Sequence, residues 1–254
     1  MRVARAPWTS RTVEKLGSLE FGPARTLEER EAAFRLVHER YVARGYMHPD
    51  PSGRRTGPHH VRAATQVFVG RNAGRVVATV SVIPDSPLGL PCDELYRDEL
   101  RPLRANGRRL AEVSALAIDG GWRALGFSIV RSLVQVVALY ASHVVPLDTL
   151  CIAVNPRHAR FYVTLLGFEH FGGLKAYAAV NGAPALALRL DLDRPLAPPA
   201  AEAAAAFVPA LFDPLERARM LAALQRDLHR PVQPFQSVPR PIEHFVGATV
   251  AEMC

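Results

Sequence analysis

The stretch "RRLAEVSALAI" at 108–118 constrains the fold more than any other part of the chain. Strand alternation sets Leu110, Glu112, Ser114, Leu116 and Ile118 on one face and Ala111, Val113, Ala115 and Ala117 on the other. Both faces are otherwise apolar, so this segment reads as a central strand covered on both sides. Glu112 enters that buried setting. A buried carboxylate is costly unless it is paired or its pKa rises, and such positions cluster at functional sites. The alternative is a structural ion pair with an arginine. Ser114 lies two residues on and points the same way as Glu112.

The surroundings of that strand give a mixed sheet with helices. Residues 18–24 form a short strand. Thr26 and Glu29 make a capping box for a helix that ends at Gly45. The polar, Pro/Gly-rich segment 47–63 is a long loop of the functional or mobile kind. Strands 65–70 and 75–83 form a hairpin around Asn72, Ala73 and Gly74. "CDELYRDELRPLRANG" reads as short helices. After the central strand come a glycine turn "GGWRALGFS", an apolar helix and a buried strand at 148–155.

Asn155 then N-caps a short helix with Pro156 at its first position and Gly167 at its C-cap. On that helix Phe161 and Leu165 share a face that should bury, with Tyr162 at its edge. Two closing strands turn at Asn181 and Gly182. The fold class is therefore α/β (α+β). Residues 1–16 read as an arm, 17–193 as the folded domain, 194–212 as a Pro/Ala-rich linker and 213–254 as a C-terminal helical extension. Asp213 is the expected N-cap of a helix over 213–230.

Composition excludes several functions. Of 31 basic residues only Lys15 and Lys175 are lysines, so the net charge of +7 is nearly all arginine, which suits phosphate and carboxylate partners. No basic run with interleaved aromatics supports nucleic-acid binding. The three cysteines, Cys92, Cys151 and Cys254, lack metal spacing and read as reduced thiols of a cytoplasmic protein. His59 and His60 have no third ligand at good spacing, so no metal is expected. "MRVARAPWTSR" lacks the apolar core of a secretory signal. No apolar run of about 18 residues points to a transmembrane segment, although weak contact with a membrane surface is open.

Arg123, Gly126 and Ser128 partly fit R-x-x-G-x-small at a strand-to-helix turn, where backbone N–H groups can hold phosphate oxygens. Strand, turn, helix, apolar strand and "NPRHARFYVTLLGF" in this order resemble the GNAT acyltransferase superfamily. The resemblance implies a GNAT-like acyl-CoA N-acyltransferase fold, with two central parallel strands splayed around a pantetheine thioester. Longer phrases narrow it: "ERYVARGY", "TVSVIPDSPLGLPCDELYRDELRPLRANGRRLAEVSALAID", "NPRHARFYVTLLGFE" and "AVNGAPALALRLDL". Together, over roughly residues 19–193, they resemble the FeeM-type long-chain N-acyl amino acid synthases, relatives of the acyl-homoserine lactone synthases.

That resemblance implies an N-acyltransferase that moves a fatty acyl group from acyl carrier protein to the amine of an amino acid. The acyl-phosphopantetheine thioester would be a co-substrate, with coenzyme A as the other donor, and no cofactor would be tightly bound. Glu112 would be the base, Tyr162 the acid, and Ser114 a further catalytic residue. Leu116, Ala117 and Ile118 would stabilise the oxyanion, and Arg123, Gly126 and Asn155 would hold the pantetheine arm. Tyr41 and Tyr46, with the loop, would cover the acceptor. Leu133 and Val154 would line the acyl chain. Relatives often carry an arginine directly after the serine. Ala115 stands there, with Arg109 and Arg123 as candidate substitutes. Two other readings stay open: an acetyl- or acyl-CoA-dependent GNAT N-acetyltransferase, and a catalytically inactive acyl- or carrier-binding protein. Monomer and homodimer are both allowed.

Overall fold

The computed structural model describes residues 18–192 and 214–228. The arm at 1–16, the linker at 194–212, Asp213 and the rest of the C-terminal extension lie outside the described residues. Strands β1 (Leu19–Pro23), β2 (Gln66–Asn72), β3 (Arg75–Pro84), β4 (Leu110–Ile118), β5 (Thr149–Val154), β6 (Glu169–Tyr177) and β7 (Ala183–Asp191) form one seven-stranded sheet. Its order is β1-β2-β3-β4-β5-β7-β6. The β4–β5 pair is parallel and every other pair is antiparallel. Helices α1 (Leu27–Val42) and α2 (Asp93–Ala105) cover one face. Helices α3 (Gly126–His143), α4 (Pro156–Leu166) and α5 (Pro214–Leu228) belong to the other.

Local chemistry explains the helix ends. The Thr26 hydroxyl accepts the Glu29 N–H at 3.2 Å. Glu29 does not close the expected box. Its carboxylate takes the Arg25 N–H at 2.6 Å and pairs with the buried Arg71, whose charge is the stronger attraction. Asn155 caps α4 through the Arg157 N–H, and Gly167 takes the left-handed φ of 72° at its end. The expected short helices after Pro91 merge into α2, kinked at Tyr96. At the β6–β7 turn, Asn181 and Gly182 both have positive φ.

Helix α3 with its leading turn, Gly120–His143, is long and apolar enough to cross a membrane by length and composition. Half of its most apolar 18-residue window is buried inside the protein: Ile129, Leu133, Val136 and Leu139 pack into the sheet's core, so its apolarity serves packing. On α5, Leu224 is buried in the same cluster and Asp227 pairs with Arg25 at 2.9 Å.

Gly172 on β6 is a position of close approach. A Cβ there would lie 2.5 Å and 2.7 Å from the Tyr96 ring carbons and 2.9 Å from Ala187 Cβ. Tyr96 cannot swing aside, because its hydroxyl lies within hydrogen-bond distance of the Gly173 and Ala185 carbonyls, at 2.9 and 2.8 Å. Gly172→Ala should therefore destabilise the fold by about 2–3 kcal/mol. The urea midpoint measures this, and an unchanged midpoint would mean that the α2–β6 contact is slack.

Candidate active site

The site begins where two parallel strands part. β4 and β5 are in register only from Leu110↔Thr149 to Glu112↔Cys151. Beyond that point β4 continues to Ile118 without a partner on that side. Its other neighbour, β3, pairs Ser81 with Ser114 and Thr79 with Ala117. Two steps on β3 thus match three on β4, which is a β-bulge. Ala115 absorbs it with a φ of 57°, a conformation that costs a residue with a Cβ about 1–2 kcal/mol.

The bulge corrects the simple alternation. Leu116 and Ile118 do not share a face with Leu110. They join Val113 in the core beneath α3, whereas Ala115 and Ala117 pack under α1. The extra residue shifts the two-residue period by one, and every later side chain changes face.

The opening leads into a cavity of about 1390 Å³. It runs through the sheet: Tyr41 and Arg40 of α1 line it from one side, and Val130, Leu133 and Tyr162 from the other. Every residue expected at the site lines it. Glu112, Ser114 and Tyr162 do so, as do Leu116, Ala117, Ile118, Arg123, Gly126 and Asn155, and Tyr41 and Tyr46. Leu133 and Val154 join them. Phe161 and Leu165 stay half-buried rather than fully packed, because their face of α4 borders the cavity. Ala159 and Leu166 are the buried residues of that helix.

Glu112 is 2 % exposed and forms no ion pair among the described residues. Its carboxylate accepts the Cys92 N–H at 2.7 Å, and the Cys92 thiol is a second hydrogen-bond partner. Burial pushes its pKa up to about 7; the Cys92 hydrogen bonds and the charge of Arg55 resist the rise. Cys92 is held in place by its neighbours. Asp93 accepts the Leu90 N–H at 2.6 Å, and Arg104 bridges Asp93 and Asp85 with contacts of 2.5–2.6 Å.

Tyr162 lines the same cavity from α4. Its ring packs edge-on against Phe161 and Phe168, at 5.2 and 5.6 Å between centroids. Burial, with a smaller effect from Tyr41, pushes its hydroxyl up to about 12. It is therefore protonated at neutral pH and able to donate. Tyr41 and Tyr46 meet edge-to-face at 5.7 Å, and Arg157 donates to the Tyr46 hydroxyl.

At the other end, a 3-10 turn (Gly120–Leu125) runs into α3 at Gly126. Asp119 caps the turn through the Gly121 N–H at 2.8 Å. Arg123 is exposed there. Arg40 lies beside it, 3.5 Å from where a Gly120 Cβ would stand. Asn155 spends its side-chain oxygen on the α4 cap. Arg109 does not compensate for Ala115. It is bound to Asp148 at 2.7 Å at the start of β4 and does not line the cavity. Arg40, Arg44, Arg55, Arg123 and Arg157 do line it. Sequence reasoning named only Arg123 of these. The run "HERYVARGY" at the end of α1 carried a signal for Arg40 and Arg44, since it places two arginines on consecutive turns.

A family model described as "N-acyl amino acid synthase FeeM" matches residues 32–191. The chain belongs to this family. The FeeM family is an acyltransferase family. The solved structure of FeeM, an N-acyl amino acid synthase from uncultured soil microbes, is 35% identical to this chain. The match covers 68% of this chain and 91% of FeeM, with a TM-score of 0.60. The acyl-homoserine lactone synthase LasI shares the fold at 16% identity and a TM-score of 0.55, over 70% of this chain and 91% of LasI. BjaI, a CoA-dependent acyl-homoserine lactone synthase, shares it at 18% identity and a TM-score of 0.50, over 77% and 90%. No curated protein matches the sequence significantly. As a FeeM-family member the chain is read as an N-acyl amino acid synthase, ahead of an acetyltransferase.

Proposed function

We propose that this synthase takes its long-chain acyl group from acyl carrier protein and transfers it to an amino acid in the cytoplasm. The observation that carries the mechanism is Glu112, buried with no ion pair among the described residues at the point where β4 and β5 separate, in one cavity with Tyr162. The acceptor amine attacks the thioester carbonyl and forms the new C–N bond. Glu112 takes the proton that the amine loses. Backbone N–H groups on the free edge of β4, from Leu116 to Ile118, stabilise the oxyanion. As the C–S bond breaks, Tyr162 donates to the departing sulfur. Ser114, half-buried beside Glu112, borders the reacting centre.

Carrier protein is favoured over coenzyme A by the rim. Arg40, Arg44, Arg123 and Arg157 line the cavity, as does the exposed Phe127. An acidic partner is steered to such a surface. The Gly120–Leu125 turn and Gly126 would receive the phosphate of the pantetheine arm.

The test is mass spectrometry of the purified protein with the twenty amino acids and either long-chain acyl carrier protein or the matching acyl-CoA. An N-acyl amino acid should form from both, with kcat/KM for the carrier thioester at least about 10-fold higher at low salt and falling as salt rises. Equal use of both donors, with no salt dependence, would overturn the carrier reading.

A further inference from the structure

The loop between α1 and β2 brings two groups to the acceptor side of the cavity that the mechanism above leaves unused. Arg55 and His60 both line the cavity. The Arg55 backbone is fastened to α1 by its N–H on the Phe34 carbonyl at 3.1 Å. Its guanidinium lies over the Tyr41 ring at 4.6 Å and gives one bond, 3.1 Å, to the Ala179 carbonyl. It has no carboxylate partner among the described residues, although a guanidinium carries five donors.

His60 is 7 % exposed, and neither ring nitrogen has a hydrogen-bond partner among the described residues. His59 beside it also has one buried nitrogen without a partner. Buried polar atoms are almost always paired, and an unpartnered imidazole beside a guanidinium with donors to spare matches an anion that the described residues do not supply.

We infer that Arg55 and His60 form the subsite that holds the free carboxylate of the acceptor amino acid. This rests on the amino acid acceptor proposed above. The placement fits that ligand: Arg55 is near enough to Glu112 for its charge to act on that carboxylate. In an amino acid the carboxylate and the amine sit on the same carbon. A single acceptor can therefore put its amine at Glu112 while its carboxylate reaches Arg55. The phosphate of the donor belongs at the far end of the cavity, by Arg123 and Gly126.

The groups around His60 are cationic or neutral. Arg55 and His59 face it from the loop, Arg30 of α1 donates to its carbonyl at 3.3 Å, and the Phe34 ring meets it edge-on. Burial first, and then Arg55 and His59, bring its pKa down to about 4. It is a neutral donor at pH 7, and a bound carboxylate must move that pKa upward.

The experiment offers the twenty amino acids with one acyl donor, once as free acids and once as their carboxamides, and counts products by mass spectrometry. The wild type should favour the free acids by about 10- to 100-fold in kcat/KM, the range of a charge-assisted pair. Arg55→Gln should abolish that preference by raising KM for the free acids about 10- to 100-fold more than for the carboxamides, whatever the loss of its charge near Glu112 does to both pools alike, and Arg55→Lys should restore part of it. In parallel, imidazole NMR of the wild type should show the His60 pKa rising when the free-acid pool is added and staying put with the carboxamides. Equal use of acids and carboxamides, or a His60 resonance indifferent to both pools, would overturn the subsite alone. No product from either pool would overturn the amino acid acceptor as well.

Discussion

Glu112→Gln should lower kcat at pH 8 by about 10²- to 10⁴-fold, the usual contribution of a positioned general base. The wild-type rate should fall as pH drops through about 7, because the protonated carboxyl can no longer take the amine's proton. In the glutamine variant that acid limb should vanish and leave only the ionisation of the acceptor amine. A variant that keeps most of its kcat, with the same limb, would remove Glu112 from the chemistry. The same shift has a consequence for stability. A carboxyl whose folded pKa is raised stabilises the fold fully below its unfolded pKa, and that contribution is lost as pH rises from about 4.5 through about 7. Glutamine escapes the loss. The variant should be more stable than the wild type at pH 8, by on the order of 2–4 kcal/mol, while matching it near pH 4. Activity lost together with stability gained is the signature of a strained functional group rather than a packing residue.

Ala138→Phe should change which acyl chains are used. Gly126, Val130, Leu133, Val134, Val137 and Ala138 lie on one face of α3 and all line the cavity, a stripe about 18 Å long at 1.5 Å per residue. Ala138 is at the end of this stripe far from the pantetheine turn. A phenyl ring there should shorten the usable channel. Excluding four methylenes forfeits about 3 kcal/mol of burial, roughly 100-fold in kcat/KM. The expected result is that loss for a long acyl donor, with little change for a donor four carbons shorter. Equal losses for both lengths would show that the acyl chain does not run along α3.

Much of the site was legible in local patterns. The two-sided apolarity of 108–118 marked a central strand, and the carboxylate within it marked Glu112. Asn155, Pro156 and Gly167 framed the helix that carries Tyr162, because capping is decided by a few neighbouring atoms. Glycine and asparagine at the hairpin turns did the same for the strand ends. Family likeness then tied these pieces into one acyltransferase plan.

The rest needed three dimensions. Alternation is a local rule, and it failed after Ser114 because the bulge at Ala115 exists only against β3. Arg109 is a candidate substitute for the missing arginine on sequence alone, but Asp148, 39 residues away, binds it. β7 inserts between β5 and β6, an order that hydrophobic period does not encode. Arg55 and His60 lie in a loop with no period at all, so nothing nearby in sequence could place them. By itself the sequence determined the elements, their caps and the carboxylate that must be buried. Only the tertiary structure decided which strands part, which face each later side chain takes, and which distant cations line the cavity with that carboxylate. Those outcomes depend on contacts between segments far apart in the chain, and a local pattern carries no record of them.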